Sequence, residues 1–403
     1  MWDVKEIRDH PQKIDTVLTR RGEEPQAQAL LEVYARYGQA VSKRDAQKQR
    51  LKEASCKGKG NLSSEDRQQL ISWRQQGKEL DDQVQTLKKA LDEKLQKLPN
   101  ALHKDVPFDE NYVVRTWGNI KQTDEKAYPE IMERLGMAPS AVPIAGARFG
   151  LLVGDLARLE RALVQWMLSC HRQWGYEEAS VPYLVNTQSV YGVGQLPKFS
   201  EDLFQTTDNR WLISTGEVPL TAMFAQSVLP AESLPQRWMT ATPCFRQEAG
   251  SAGKETQGLM RVHQFWKIEL VHLCTQDQAS AEHDLLQKAA CHILQALEIP
   301  YRVVSLCDKD LGFSAQKTYD LEVWLPGSRR FCEVSSCSYC GDFQGRRLQT
   351  KIAGPSRTYV HTLNGSGLAV GRTLLAILEW YQQSDGSVKI PSVLQPFFPD
   401  QKV

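Results

Sequence analysis

No stretch of the sequence approaches the roughly 20 consecutive apolar residues that a membrane-spanning helix requires. The opening residues, Met1-Trp2-Asp3-Val4-Lys5-Glu6-Ile7-Arg8, lack both the apolar core of a secretory signal and the acid-poor character of a transit peptide. Charge of one sign is missing too. Lys and Arg number 49 and Asp and Glu 48, a formal net charge of +1, so any nucleic-acid contact has to come from a local basic patch. There is no Gly-Lys-Ser/Thr phosphate loop, and no strand-helix-strand unit surrounds a glycine fingerprint. The nine cysteines are odd in number and irregularly spaced, which suits free thiols in a reducing compartment. Cys337 and Cys340 have the spacing of half a zinc site, with Cys332 nearby, but no second Cys or His pair sits at a suitable distance. No zinc is expected, and small buried thiols are the better reading. A soluble cytoplasmic protein with no membrane partner is the expectation.

What is present is enough for two or three domains: 403 residues, 41% hydrophobic and 24% charged. Residues 3–21 read as a short helix. Two long polar helices follow, from Gln26 to about Cys56 and from beyond Ser64 to Pro99, separated by a glycine- and serine-rich tip. In the second, Leu70, Trp73, Gly77, Leu80, Val84, Leu87 and Leu91 alternate steps of three and four, a heptad seam. In the first, Leu30, Tyr34, Tyr37, Val41 and Leu51 fit a seam that Arg44 and Lys48 interrupt. The pair predicts an antiparallel coiled-coil hairpin over about 27–97 that projects into solvent. Lys43, Arg44, Lys48, Arg50 and Lys52, with Lys57 and Lys59 at the tip, face only Asp45 and Glu53. Such a run is either a solvated face or a grip on a phosphate backbone.

After Pro99 the composition changes. A linker-like stretch leads to a helix over Leu156–Trp174, with Asp155 placed to cap it, and then to a strand over Tyr176–Val185 interrupted by Pro182. Hairpin-joined strands with helices set apart predict an antiparallel α+β domain rather than a doubly wound sheet. Its centre is a strand ending in Arg246-Gln247-Glu248, a glycine-loosened turn from Gly250 to Gly258, and a second strand from Leu259 that puts Arg261, His263 and Phe265 on one face. A fixed guanidinium, carboxylates and an aromatic ring suit an anionic, planar-ringed ligand, although a hairpin with a charged outer face explains them equally. Thr215-Gly216-Glu217 suits either an ammonium-bearing ligand or a helix cap. In Glu333-Val334-Ser335-Ser336, Glu333 and Ser335 are expected on one face, a carboxylate for magnesium and a hydroxyl for phosphate. Asn364-Gly365-Ser366-Gly367-Leu368-Ala369-Val370-Gly371-Arg372 is expected to open the last helix, Leu368–Gln383. An arginine in a helix's first turn opposes the macrodipole and asks for an anionic partner.

Together these stretches resemble the seryl-tRNA synthetases, a family of class II aminoacyl-tRNA synthetases, from the first residues to the last. Phe245–Gly250 with Arg261–Phe265 is similar to the family's motif 2, Thr362–Arg372 to motif 3, and Glu177–Val185 to motif 1 at a dimer interface. The resemblance implies a tRNA-binding domain over 1–103, with its arm, and a catalytic domain over 104–403. It implies activation of L-serine with ATP to seryl-adenylate, transfer to tRNA(Ser), also tRNA(Sec) where present, and a homodimer. Arg246, Glu248 and Arg372 become the catalytic residues. Val262, Phe265, Val334, Ser335 and Ser336 join them at ATP, and Glu333 and Ser336 hold Mg2+ with it. Thr215, Gly216, Glu217, Glu269 and Ser366, with Arg246, form the serine pocket. Lys43, Arg44, Lys48, Arg50 and Lys52 meet the tRNA.

Four positions depart from the family pattern: Gly216 and Gly345 stand where alanine is usual, Gln257 where arginine is common, and Tyr339 where asparagine is usual. These departures suit a divergent lineage or a second copy of the enzyme. A ligase serving a carrier protein or secondary metabolism is the main alternative, but such an enzyme needs no tRNA arm. A non-catalytic RNA-binding paralogue should have lost Arg246, Glu248, Glu269, Glu333 or Arg372, and all five are in place.

Overall fold

The computed structural model describes residues 2–57, 63–120, 125–138, 140–249, 259–355 and 358–403. The expected turn tip from Gly250 to Gly258, with Gln257, lies outside them, as does Lys59. The chain divides into two compact units, residues 1–101 and 102–403.

In the first unit the expected single helix at 3–21 is broken at His10-Pro11 into α1 (Val4–Asp9) and α2 (Pro11–Arg20), because Pro11 has no N–H to continue the ladder. Two long helices follow, α3 (Ala27–Lys57) and α4 (Ser64–Gln96). Ser63 caps α4 by a reciprocal box with Asp66. Leu51 lies against Gly77 while Lys48 reaches Asp81, so the helices run antiparallel. The α4 seam is the one expected. The α3 seam keeps the expected Leu30, Tyr34, Tyr37, Val41, Arg44 and Leu51 at least half-buried, but Ala40 and Gln47 are its most buried distal positions, and Lys48 faces solvent. Among the described residues Gln47 is the buried polar residue of the arm, and its amide donates to the Trp73 carbonyl at 3.1 Å.

The second unit is built on an eight-stranded sheet. Its strands are β1 (Tyr112–Trp117), β2 (Glu177–Glu178), β3 (Gln236–Phe245), β4 (Gln264–Cys274), β5 (Tyr301–Ser305), β6 (Lys317–Leu325), β7 (Arg330–Gly341) and β8 (His361–Ala369). They lie in the order β1-β5-β6-β7-β8-β4-β3-β2, antiparallel except for the β2–β3 pair. This is the α+β sheet the sequence predicts. The helices used below are α5 (Gly154–Gln173), α6 (Glu217–Ala222), α7 (Ala279–Ala296), α8 (Phe343–Leu348) and α9 (Val370–Tyr381). Asp155 does not cap α5 but sits in its first turn, paired with Arg158, and Gly175 ends the turn beyond the helix at φ 83°.

Strand alternation divides the chemistry of the sheet. On β4, Ile268 and Leu270 join Leu159 and Leu163 of α5, Leu286 of α7 and Leu374 of α9 in one apolar core. Each such fully buried aliphatic side chain contributes on the order of 2 kcal/mol. Lys267 and Glu269 project from the opposite face, where the site lies. A buried carboxylate also locks the layers: Glu379 of α9 accepts from the backbone N–H groups of Tyr128, Gly327 and Ser328 and from the Ser328 hydroxyl.

Two expected elements come out differently. Tyr176–Val185 is two short strands, β2 in the main sheet and Leu184–Val185 paired with Trp211–Leu212. Asn364 to Ala369 belongs to β8, and the last helix starts only at Val370.

Candidate active site

On the face of the sheet away from the helical core is a cavity of about 440 Å³. It is walled by the end of β3 and its continuation, by β4, by β7, and by the junction of β8 with α9. Among the expected residues, Thr215, Glu217, Arg246, Glu248, Val262, Phe265, Glu333, Val334, Ser336, Ser366 and Arg372 line it. Gly216, Glu269 and Ser335 do not.

Each placement follows from local structure. Strand β3 stops at Phe245, so Arg246 and Glu248 stand on irregular backbone rather than in the expected strand, and Glu248 has φ 52°. The answering segment is likewise irregular from Leu259 to His263 and pairs only from Gln264. Two hydrogen bonds clamp this junction: Arg246 N donates to the His263 carbonyl at 2.9 Å, and the His263 ring meets the Arg246 carbonyl at 2.8 Å. The Arg246 guanidinium stacks over Phe265 at 5.2 Å, while its Nε donates to the Ser214 carbonyl at 3.2 Å. Arg246 therefore joins an aromatic platform to the turn that carries Thr215 and Glu217. The Glu248 carboxylate accepts from Arg261 Nε at 2.7 Å.

At one end of the cavity the charges are packed tightly. Thr215 Oγ1 donates to Glu269 Oε2 and accepts from Glu217 N, so it serves the ligand wall and the start of α6 at once. Lys267 Nζ reaches the same Glu269 oxygen at 2.5 Å, and Glu269 Oε1 is buried with no hydrogen-bond partner. Burial, and next the neighbouring Glu269, push the Glu217 carboxyl up to about 7. The buried Gln344 amide holds it, donating to Glu217 Oε1 at 2.6 Å and accepting from Thr362. Gly216 stands behind this group in an ordinary helical conformation, and a Cβ there would come within 2.7 Å of Thr240 and 2.9 Å of Glu269.

At the other end, Arg372 Nη1 donates to the Glu333 carbonyl at 2.8 Å and lies 3.7 Å from its carboxylate. A β-bulge in β7 between Glu333 and Ser335 corrects the expected face-sharing. The extra residue turns Ser336 with Glu333 toward the cavity and sends Ser335 inward, where it is 1% exposed and donates to the Ser366 carbonyl at 2.6 Å. Asp320, opposite Ser336, has one buried oxygen without a hydrogen-bond partner. Burial, then Glu333, push its carboxyl up to about 7.

Sequence reasoning missed Lys267, Gln344, Asn364 and Asp320. Lys267 carried a visible signal, a charge among Phe265, Trp266 and Ile268, and Asn364 stood in the motif 3 stretch; Gln344 and Asp320 carried none. Cys332, Cys337 and Cys340 are buried single thiols, and burial raises those of Cys337 and Cys340. Among the described residues no three His, Cys, Asp or Glu side chains are grouped to hold a metal unaided.

Comparison with known proteins meets this geometry. Residues 1–102 match the family described as Seryl-tRNA synthetase N-terminal domain, and residues 199–381 the tRNA synthetase class II core domain (G, H, P, S and T). A serine–tRNA ligase of Brucella canis is 44% identical over 98% of this chain and 97% of its own length, and one of Brucella abortus is equally similar. The chain belongs to the seryl-tRNA synthetase family. Its activity is that of an ATP-dependent serine–tRNA ligase. Two solved structures of the family share the whole fold. The seryl-tRNA synthetase of Pyrococcus horikoshii complexed with ATP has a TM-score of 0.92 at 32% identity, covering 100% of this chain and 99% of that one. The cytoplasmic serine–tRNA ligase of Naegleria fowleri in complex with AMP has a TM-score of 0.88 at 29% identity, covering 100% and 98%. Among the described residues no helix is long and apolar enough to cross a membrane.

Proposed function

We propose that the cavity holds ATP and L-serine side by side, with Arg246 between them. The observation that carries this reading is the position of Arg246, which joins the Phe265 ring to the Thr215–Glu217 turn. Adenine lies against Phe265 and under Arg372, with Glu248 receiving its amino group and Val262 beside it. The serine ammonium and hydroxyl meet Glu217 and Thr215, with Glu269 hydrogen-bonded behind Thr215 and Gly216 packed against it, and Ser366 completes the pocket. Alanine would leave those buried acceptors unpaired, and such a site discriminates strongly against an analogue lacking the hydroxyl.

In the first step a serine carboxylate oxygen forms a bond to the α-phosphorus as the bond to the bridging oxygen breaks, and diphosphate leaves. In the second, the terminal ribose hydroxyl of tRNA forms a bond to the seryl carbonyl carbon as the bond from that carbon to the phosphate oxygen breaks; the hydroxyl proton passes to the departing phosphate, and AMP leaves. The protein's part is alignment and charge neutralisation: Arg246 holds the α-phosphate and the carboxylate at attacking distance, and Arg372 faces the outer phosphates. Magnesium suits the oxygen donors present, Glu333, Ser336 and the unpartnered Asp320 oxygen beside them. Glu333 and Ser336 would hold it, and it would neutralise charge on the triphosphate when bound. Ser335 acts through the backbone that it braces.

The arm receives tRNA(Ser), and tRNA(Sec) where a cell has it, through Lys43, Arg50 and Lys52, which are exposed. Arg44 and Lys48 are engaged by Asp45 and Asp81 and contribute less. A homodimer would cover Val142, Ile144 and Leu184, which are exposed here. The test is exchange of pyrophosphate into ATP. It should depend on serine and fall at least about a hundredfold in Arg246→Ala, the scale of a lost transition-state contact. No exchange with any amino acid would refute the reading.

A further inference from the structure

The strand that carries Ser366 is not regular. β8 pairs with β4 as far as Ser366 opposite Glu269 and resumes at Ala369 opposite Lys267. Three steps along β8 face two along β4, a bulge with one extra residue. A bulge takes backbone groups out of the ladder, and buried ones need partners elsewhere. Two side chains from outside the strand provide them. Ser335 Oγ donates to the Ser366 carbonyl, and the ring Nε2 of His171 meets the Gly367 carbonyl, both at 2.6 Å.

His171 belongs to α5 on the helical side of the sheet and is 0% exposed. A carbonyl oxygen only accepts, so the ring proton sits on Nε2. Burial pushes the ring's pKa down to about 4, leaving it neutral with that single N–H, and Nδ1 is buried with no hydrogen-bond partner. The contact also requires a glycine: a Cβ on residue 367 would lie 2.5 Å from Nε2. On the far side of the bulge, Arg372 is held independently by the carbonyls of Glu333 and Met260.

We infer that His171 is a positioning residue for amino-acid activation: its hydrogen bond to Gly367 fixes the bulge and, through it, the adjoining Ser366 in the amino-acid pocket. Because Arg372 has its own anchors, loss of the His171 bond loosens the amino-acid side of the cavity more than the ATP side. The inference rests on Ser366 serving the serine pocket.

The test is pyrophosphate exchange titrated separately with serine and with ATP, on the native protein, His171→Phe and His171→Gln. Phenylalanine keeps the ring volume without the donor, whereas the glutamine amide can replace Nε2–H. The serine KM should rise about tenfold in His171→Phe, the scale of one lost hydrogen bond, with the ATP KM near native. His171→Gln should recover most of the loss. Gly367→Ala drives the ring away from the same carbonyl, so it should reproduce the serine-selective rise and serves if His171→Phe does not fold. An unshifted serine KM in the folded variants overturns the inference. So does an equal rise for ATP, or a His171→Gln no better than His171→Phe, since packing would then explain the effect. Native protein without serine-dependent exchange would instead overturn the proposed function, and this inference with it.

Discussion

Glu217 shows how much one side chain's chemistry depends on neighbours that are distant in sequence. Its carboxyl is raised to about 7 from an ordinary 4.5 by burial and then by Glu269, 52 residues on. In the unfolded chain it ionises near the ordinary value. Folding therefore favours the protonated form, and the stability this gives is present below about 4.5, declines as pH rises, and is fully lost above about 7. A glutamine stays neutral throughout. Glu217→Gln should melt close to the native protein at pH 4 and above it at pH 8, with serine-dependent exchange impaired at both. Melting differences that are the same at the two pH values would contradict this origin of the shift. Thr215, Glu217, Arg246 and Arg372, singled out from local residue order, all line the same cavity. Local order misplaced Ser335, because the bulge at Val334 is set by pairing with β6 and leaves no trace in the residues themselves.

At the scale of elements, periodic signals were read most faithfully and pairing signals least. The α4 seam is as the spacing implies, whereas steps of three and four admit either Gln47 or Lys48 after Arg44 in α3. The choice fell to Gln47, whose amide finds the Trp73 carbonyl, leaving Lys48 outside. Motif 3 misled for a related reason. Its residues from Asn364 are expected to open the last helix, but Gly365 pairs with Cys337 and Leu270 on two neighbouring strands, which local sequence cannot announce. The arm's charges make a prediction at this scale. Lys43→Ala and Arg50→Ala should each weaken tRNA binding and lower its salt dependence by roughly one counterion. Asp81→Ala, which releases Arg44 and Lys48, should strengthen binding. Titration at several salt concentrations decides it, with serine-dependent exchange unchanged in all three variants. Equal affinities for native protein, Lys43→Ala and Arg50→Ala would exclude this face of α3 from the contact.

Across the whole molecule, the chain forms two compact units: the first carries an exposed basic helix face, the second a cavity lined by charges of both signs. The sheet's two faces keep the apolar core and the chemistry one residue apart along each strand, which is why the α+β architecture could be read before any site was located. Of the departures from the family pattern, Gly216 stands beside that chemistry. Gly216 packs so tightly that alanine there would have to move Thr240 or Glu269, so the pocket is built around the glycine rather than loosened by it. The Tyr339 hydroxyl is hydrogen-bonded to His361 at 2.7 Å, away from the cavity lining. Selection of serine by this pocket is the central claim, and one assay tests it: pyrophosphate exchange with serine, threonine, alanine and cysteine compared at equal concentrations. The expected result is exchange with serine exceeding that with alanine by at least about a hundredfold, as a site with buried hydroxyl partners requires. Preference for any of the other three, or equal exchange with serine and alanine, would contradict it.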